Sequence, residues 1–182
     1  MSFRYIYGLD IAWRTGIAIY DLETNKFVYV GNIDANEINL TAKEKRNHIL
    51  EHGKRLRFTS TQMQKIIEQY PPSIVLIERY FSHFNQSTIT LAKIHGVINE
   101  LFAEIPTIYY PPKKVKEAIL RGNSTKEQIR KMIENKFPYI TFTCDDESDA
   151  VAVLLTYLIK NNLITWEKPE APKKRTRKKK SK

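Results

Sequence analysis

Residues 73–77, Ser-Ile-Val-Leu-Ile, form an unbroken and largely β-branched apolar run, preceded by Pro71-Pro72 and followed at once by Glu78. A strand exposed on one side would alternate apolar and polar residues. A run without alternation predicts a central strand covered on both faces, which requires a sheet packed between helices.

The segments on either side supply those layers. Residues 4–10, 17–20 and 27–30 read as three strands joined by short turns at Trp13-Arg14-Thr15-Gly16 and Glu23-Thr24-Asn25, a spacing that predicts an antiparallel meander. Thr41 to Glu44 is a capping-box pattern, and Ile49, Leu56, Met63, Ile66, Ile67 and Tyr70 give the following helix an apolar stripe until Pro71-Pro72 stops it. After the central strand, residues 85–102 predict a helix with Ile89, Ala92, Val97, Ile98, Leu101 and Phe102 as its apolar positions, and residues 106–110 a fifth strand. Pro111-Pro112 starts a short helix over 113–120 that Gly122 ends, Ser124 to Glu127 reads as a second capping box for a helix through Lys136, and residues 145–162 predict a largely buried last helix. The order predicts an α/β fold: a mixed five-stranded sheet flanked by helices.

A chain of 182 residues accommodates one well-cored domain, and 42% hydrophobic with 27% charged residues is the composition of a globular protein. No stretch has the length of a membrane span, and the N-terminus enters a strand pattern without a signal-peptide layout, so a cytoplasmic location is expected. Cys144 is the only cysteine, which rules out an internal disulfide and a zinc site built on thiolates. It reads as a small buried or half-buried thiol.

The net charge is +10, yet residues 173–182 carry eight positive and no negative charges, leaving the rest of the chain at only +2. The expected organisation is one folded unit over residues 1–164 and a disordered polybasic tail over 165–182, which would attract phosphates in a salt-sensitive manner. Such a tail also suits a solubility role or nuclear localisation.

Four carboxylates occupy positions where burial would be costly without a partner. Asp10 ends the first strand, Glu78 ends the central one, and Asp146 and Asp149 lie three apart at the start of the last helix, so they share a face. The helical pair alone also fits an N-cap and a surface acid. If the first and fourth strands are neighbours, all four acids converge, and four hard oxygen donors suit Mg²⁺ or Mn²⁺. Two such ions about 4 Å apart can support in-line phosphodiester hydrolysis without a histidine or serine nucleophile. The basic balance favours nucleic acid as the substrate.

The fragments Gly8-Leu9-Asp10 with Thr15-Gly16, Val75-Leu76-Ile77-Glu78-Arg79-Tyr80-Phe81, Val115-Lys116-Glu117-Ala118 and Asp146-Glu147-Ser148-Asp149-Ala150-Val151-Ala152 stand in the order found in RuvC-type Holliday-junction resolvases of the RNase H-like nuclease superfamily. The chain resembles that family over roughly residues 4–162. The resemblance implies that Asp10, Glu78, Asp146 and Asp149 are catalytic metal ligands, and that a homodimer makes paired nicks across a four-way DNA junction. It further implies that Lys116 and Lys126 contact DNA, that Phe81 matches an aromatic pushed into the junction centre, and that the helix carrying His95-Gly96 pairs the subunits. A core aromatic and an ordinary core helix account equally well for the last two. The family's first aspartate is usually followed by Pro-Gly, whereas here Ile11-Ala12-Trp13-Arg14 intervenes before Thr15-Gly16, so the likeness is to divergent members, phage-encoded ones among them, with altered cleavage preference. A same-fold nuclease acting on forks, flaps or RNA–DNA hybrids and a non-catalytic junction-binding protein are the rivals. Four buried negative charges argue against the binder.

His48-Ile-Leu-Glu51-His52 matches an inverted zinc-peptidase pattern but lacks an evident third ligand, and a helix surface facing solvent or DNA is the simpler account. No Gly-rich Lys-Ser/Thr loop is present, so no nucleotide cofactor is expected.

Overall fold

The structure, a computed structural model, describes residues 3–79 and 86–169. Phe81, its aromatic neighbours Tyr80 and Phe84, His83 and the polybasic segment 173–182 lie outside the described residues.

Strands β1 (Tyr5–Asp10), β2 (Arg14–Asp21) and β3 (Lys26–Asp34) form the expected meander, while β4 (Pro72–Glu78) and β5 (Thr107–Tyr110) continue the sheet in the order β3-β2-β1-β4-β5. β1 pairs antiparallel with β2 and parallel with β4, and β4 pairs parallel with β5. The sheet is therefore mixed and five-stranded, as the element order predicts.

Helices cover both faces. Ile6, Ala18, Ile74 and Leu76 pack on one side under α4 (Pro112–Ile119), α5 (Lys126–Lys136) and α6 (Asp145–Lys160). Tyr7, Leu9, Ile17, Ile19, Val75 and Ile77 pack on the other with Met63 of α2 (His48–Gln69) and Ile94 and Ile98 of α3 (Gln86–Leu101). Val75, Leu76 and Ile77 are almost wholly inaccessible to solvent, which is why that segment has no polar alternation. Trp166 extends the packing past α6: its indole N–H donates to the Ile119 carbonyl at 2.8 Å, and its ring stacks on Phe137. Among the described residues, no helix is long and apolar enough to cross a membrane.

Local signals shifted in three places. The Thr41–Glu44 capping box exists, but it caps the short helix α1 (Ala42–Arg46); Asn47 then breaks the helix and caps α2 through Leu50 N. The second capping box is formed by Thr125 and Gln128 rather than Ser124 and Glu127, because the Ser124 hydroxyl accepts from Arg121 N instead. Ile49 and Ile89, assigned to apolar stripes by spacing, are 86% and 58% exposed. Each lies near the start of its helix, where a stripe can run past the core it covers.

Candidate active site

Asp10 is the last residue of β1 and Glu78 the last of β4. The strands are parallel neighbours with Leu9 opposite Ile77, so the two acids leave adjacent strand ends. Both continue the even-numbered face that packs against α6, since side chains alternate along a strand.

Glycine lets α6 come close enough to complete the site. A Cβ added at Gly8 would fall 2.4 Å from the Ala150 carbonyl oxygen, and one at Gly16 would fall 1.9 Å from that of Asp146. Gly16 is also the cross-strand partner of Asp10. The first turns of α6 are thus pressed against the sheet beside the end of β1. Asp10, Glu78 and Asp149 line one cavity of about 480 Å³, together with Lys116, Lys126, Arg79 and His95.

Burial above all, then the charges of Asp149, Glu78 and Asp146, pushes the Asp10 carboxyl up to about 7, against the pull of Lys126. Glu78 is also pushed to about 7, by burial first and Asp149 next, although Lys126 and Lys116 oppose the shift. Lys126 pairs directly with the Asp149 carboxylate, and its ammonium is held above its ordinary range: burial opposes this, but Asp149, Asp10 and Glu78 outweigh it.

Asp146 is not among the residues that line this cavity. Its carboxylate lies 4.0 Å from Arg14 Nη1 and is 28% exposed, and burial raises its pKa against the influence of Arg14 and Lys126. Neither helical acid caps α6; the N-cap residue is Cys144, half-buried and without a side-chain capping bond. Lys116 and Lys126 both stand on the cavity wall, one on α4 and the other at the start of α5.

Sequence reasoning missed two supporting residues. Glu147, only 2% exposed, accepts hydrogen bonds from Asn32 Nδ2 at 2.7 Å, Thr143 N at 2.6 Å and Thr143 Oγ1 at 2.7 Å, tying α6 to β3 and to the preceding loop. Arg14 bonds Asp34 at 2.7 Å and reaches toward Asp146. Helical spacing sets Glu147 off the face shared by Asp146 and Asp149, but nothing local shows that it bonds to β3.

The donor set fits a hard divalent cation. All its donors are oxygens, two carboxyls are strained by burial and mutual repulsion, and Lys126 supplies a single compensating charge at Asp149. The one trio of metal-ligating side chains whose donor atoms lie within 4.8 Å of one another, among the described residues, is elsewhere: His48, Glu51 and His52.

The model of the family described as crossover junction endodeoxyribonuclease RuvC matches residues 7–157, a span that includes all four acids. The chain belongs to the RuvC family. It is 34% identical over 122 residues to the RuvC of Brachyspira hyodysenteriae, covering 62% of this chain and 72% of that one. It is 29% identical over 157 residues to the RuvC of Geotalea uraniireducens, covering 84% and 86%. The solved RuvC of T. thermophilus in complex with a Holliday junction substrate has the same fold, with a TM-score of 0.67 and 14% identity over 88% of this chain and 96% of that one. These identities mark a divergent member of the RuvC family, built on its RNase H-like sheet.

Proposed function

We propose that this RuvC-family chain is a structure-specific DNA endonuclease that resolves four-way Holliday junctions by metal-dependent phosphodiester hydrolysis. One observation carries the reading: Asp10, Glu78 and Asp149, brought from two strand ends and a helix, line a single cavity with Lys116 and Lys126.

Asp10, Glu78 and Asp149, together with Asp146, would hold Mg²⁺ or Mn²⁺, in a two-ion arrangement. Ions held there supply an activated water and neutralise charge on the leaving oxygen. The chain's own groups do the rest. Lys116 and Lys126 attract the backbone phosphates on either side of the break, and Arg14 restrains Asp146.

The proposed assembly is a homodimer, because a two-fold pair of identical sites matches the symmetry of a four-way junction. In support, Gly96 on α3 has nothing within 4 Å of an added Cβ, so a second helix could approach closely there. Phe81 follows β4 closely and is assigned to the junction centre, where stacking on unpaired bases is worth roughly 1–3 kcal/mol. The nuclease unit is assigned to residues 1–164 with Trp166 packed onto it, which moves the start of the polybasic tail past the expected residue 165; deletion of 173–182 should weaken junction binding most at low salt and leave the chemistry intact.

A panel of four-way junction, fork, flap and RNA–DNA hybrid substrates tests the reading. Symmetric, Mg²⁺- or Mn²⁺-dependent nicking of the junction in preference to the others is expected. Intact junctions alongside degraded RNA in hybrids would overturn it.

A further inference from the structure

Two segments distant in sequence meet in space beside the acid site. The segment after Asp10 carries Trp13 and Arg14, and the start of α2 carries His48, Glu51 and His52. Together with Lys93 of α3 they line a second cavity, of about 990 Å³. It sits at the upper end of the roughly 300–1,000 Å³ typical of ligand pockets. Ala12 and Leu91 line both this cavity and the acid cavity, so the two adjoin.

The wall is built for an aromatic, anionic guest rather than for a cation. Its one carboxylate in the α2 trio, Glu51, is already engaged by Arg55 at 3.2 and 3.0 Å. His52 Nδ1 faces Lys93 Nζ at 3.2 Å, and a metal ion there would have to displace or repel that ammonium. Burial first, then the Lys93 charge, lowers the His52 pKa, which favours the uncharged ring beside the lysine.

Trp13 is the fixed centre of the wall. Its carbonyl accepts from Ala35 N at 2.8 Å, its ring meets His52 edge-on with centroids 5.4 Å apart, and the Arg55 guanidinium lies over the ring 5.6 Å from its centroid, so a guest would stack on the opposite face. The turn is braced further by Thr15 Oγ1, which donates to the Ala12 carbonyl at 2.7 Å. A rigid indole beside cationic side chains is the combination that binds single nucleotides by stacking and phosphate attraction. Exposed Ile89 adds apolar lining.

We propose that this cavity receives a base next to the scissile phosphate on the strand being cut, stacked on Trp13 with Lys93 at the flanking phosphate, so that these residues set cleavage-sequence preference. The proposal rests on the resolvase reading and deepens it. It also gives a role to the segment where the chain departs from the family's Pro-Gly pattern.

Junctions carrying a single abasic residue at each position around the cut test it. Wild type should slow roughly tenfold or more at one position, the size of one lost stacking contact. Trp13→Ala should be slow on the intact junction and indifferent to that abasic residue, whereas Trp13→Phe should recover much of the sensitivity. Lys93→Ala should weaken cleavage while retaining it. Trp13→Ala keeping the full wild-type abasic penalty, or wild type showing no penalty at any position while cutting normally, would overturn the base pocket and leave the resolvase reading standing. A wild type that cuts no junction would bring down both.

Discussion

Gly16 lies directly beneath the backbone of Asp146: a methyl group at position 16 would sit 1.9 Å from the Asp146 carbonyl oxygen and 2.3 Å from its carbonyl carbon. No side-chain rotation can relieve a clash with backbone, so α6 must move away from the sheet. The acids it carries move with it.

Gly16→Ala should therefore reduce junction cleavage more than tenfold and destabilise the fold by about 1–3 kcal/mol. Gly53→Ala is the matched control, since nothing lies within 4 Å of its added Cβ and it sits inside α2; a gain of up to about 1 kcal/mol is expected. Denaturant melts and single-turnover rates on both variants separate the effects. Equal behaviour of the two would remove the close-approach argument.

Asp10 is buried among other acids, so neutralising it should relieve the metal-free protein. Asp10→Asn is expected to raise metal-free stability by about 1–3 kcal/mol near pH 8. Mn²⁺ should raise the melting temperature of wild type and have little effect on the variant. Equal metal-induced shifts in the two proteins would exclude Asp10 as a ligand.

Lys126 pairs with Asp149 where a cation is expected to bind. Lys126→Met should lower the Mn²⁺ concentration needed for half-saturation by about tenfold, since a charge-assisted bond worth roughly 1.5–3 kcal/mol no longer competes. Cleavage should fall at the same time, because a phosphate-facing charge is lost. Calorimetric titration reads the first effect; unchanged metal affinity would show that the pair does not compete.

Glu147 makes the fold sensitive to acid. Burial acts to raise its pKa, but the bonds from Thr143 and Asn32 outweigh it and hold the carboxyl below its ordinary value. Its contribution is then fully present above the unfolded value of about 4.3 and is lost as pH falls through the lower folded value. Glu147→Gln should cost about 1–3 kcal/mol at pH 7, with the gap to wild type narrowing below about pH 4. A gap independent of pH would show that the charge of Glu147 contributes nothing.

The sheet was legible in the sequence because strand burial leaves direct marks: the apolar run before Glu78 and the short turns of the meander. Neighbouring placement of Asp10 and Glu78 follows from a connectivity that sets β1 beside β4. What stayed hidden depends on long-range contact. Nothing local separates Gly16, pressed under α6, from Gly53, which faces open space. The capping box at Thr125 was misplaced by one residue because Ser124 and Thr125 offer the same hydroxyl chemistry, and only the bond from Arg121 N to Ser124 decides between them. The joining of Trp13 to His52 likewise needs the fold, since 39 positions in the chain separate them.

Binding and cutting of one synthetic four-way junction, measured together for wild type and for Asp10→Asn, Glu78→Gln and Asp149→Asn in Mg²⁺, test the acid cavity most directly. Wild type should nick symmetrically, while each variant should bind the junction with near wild-type affinity and lose cleavage by several orders of magnitude. A variant that nicks at the wild-type rate would contradict the assignment of that acid, and three such variants would show that the cavity is not the catalytic site.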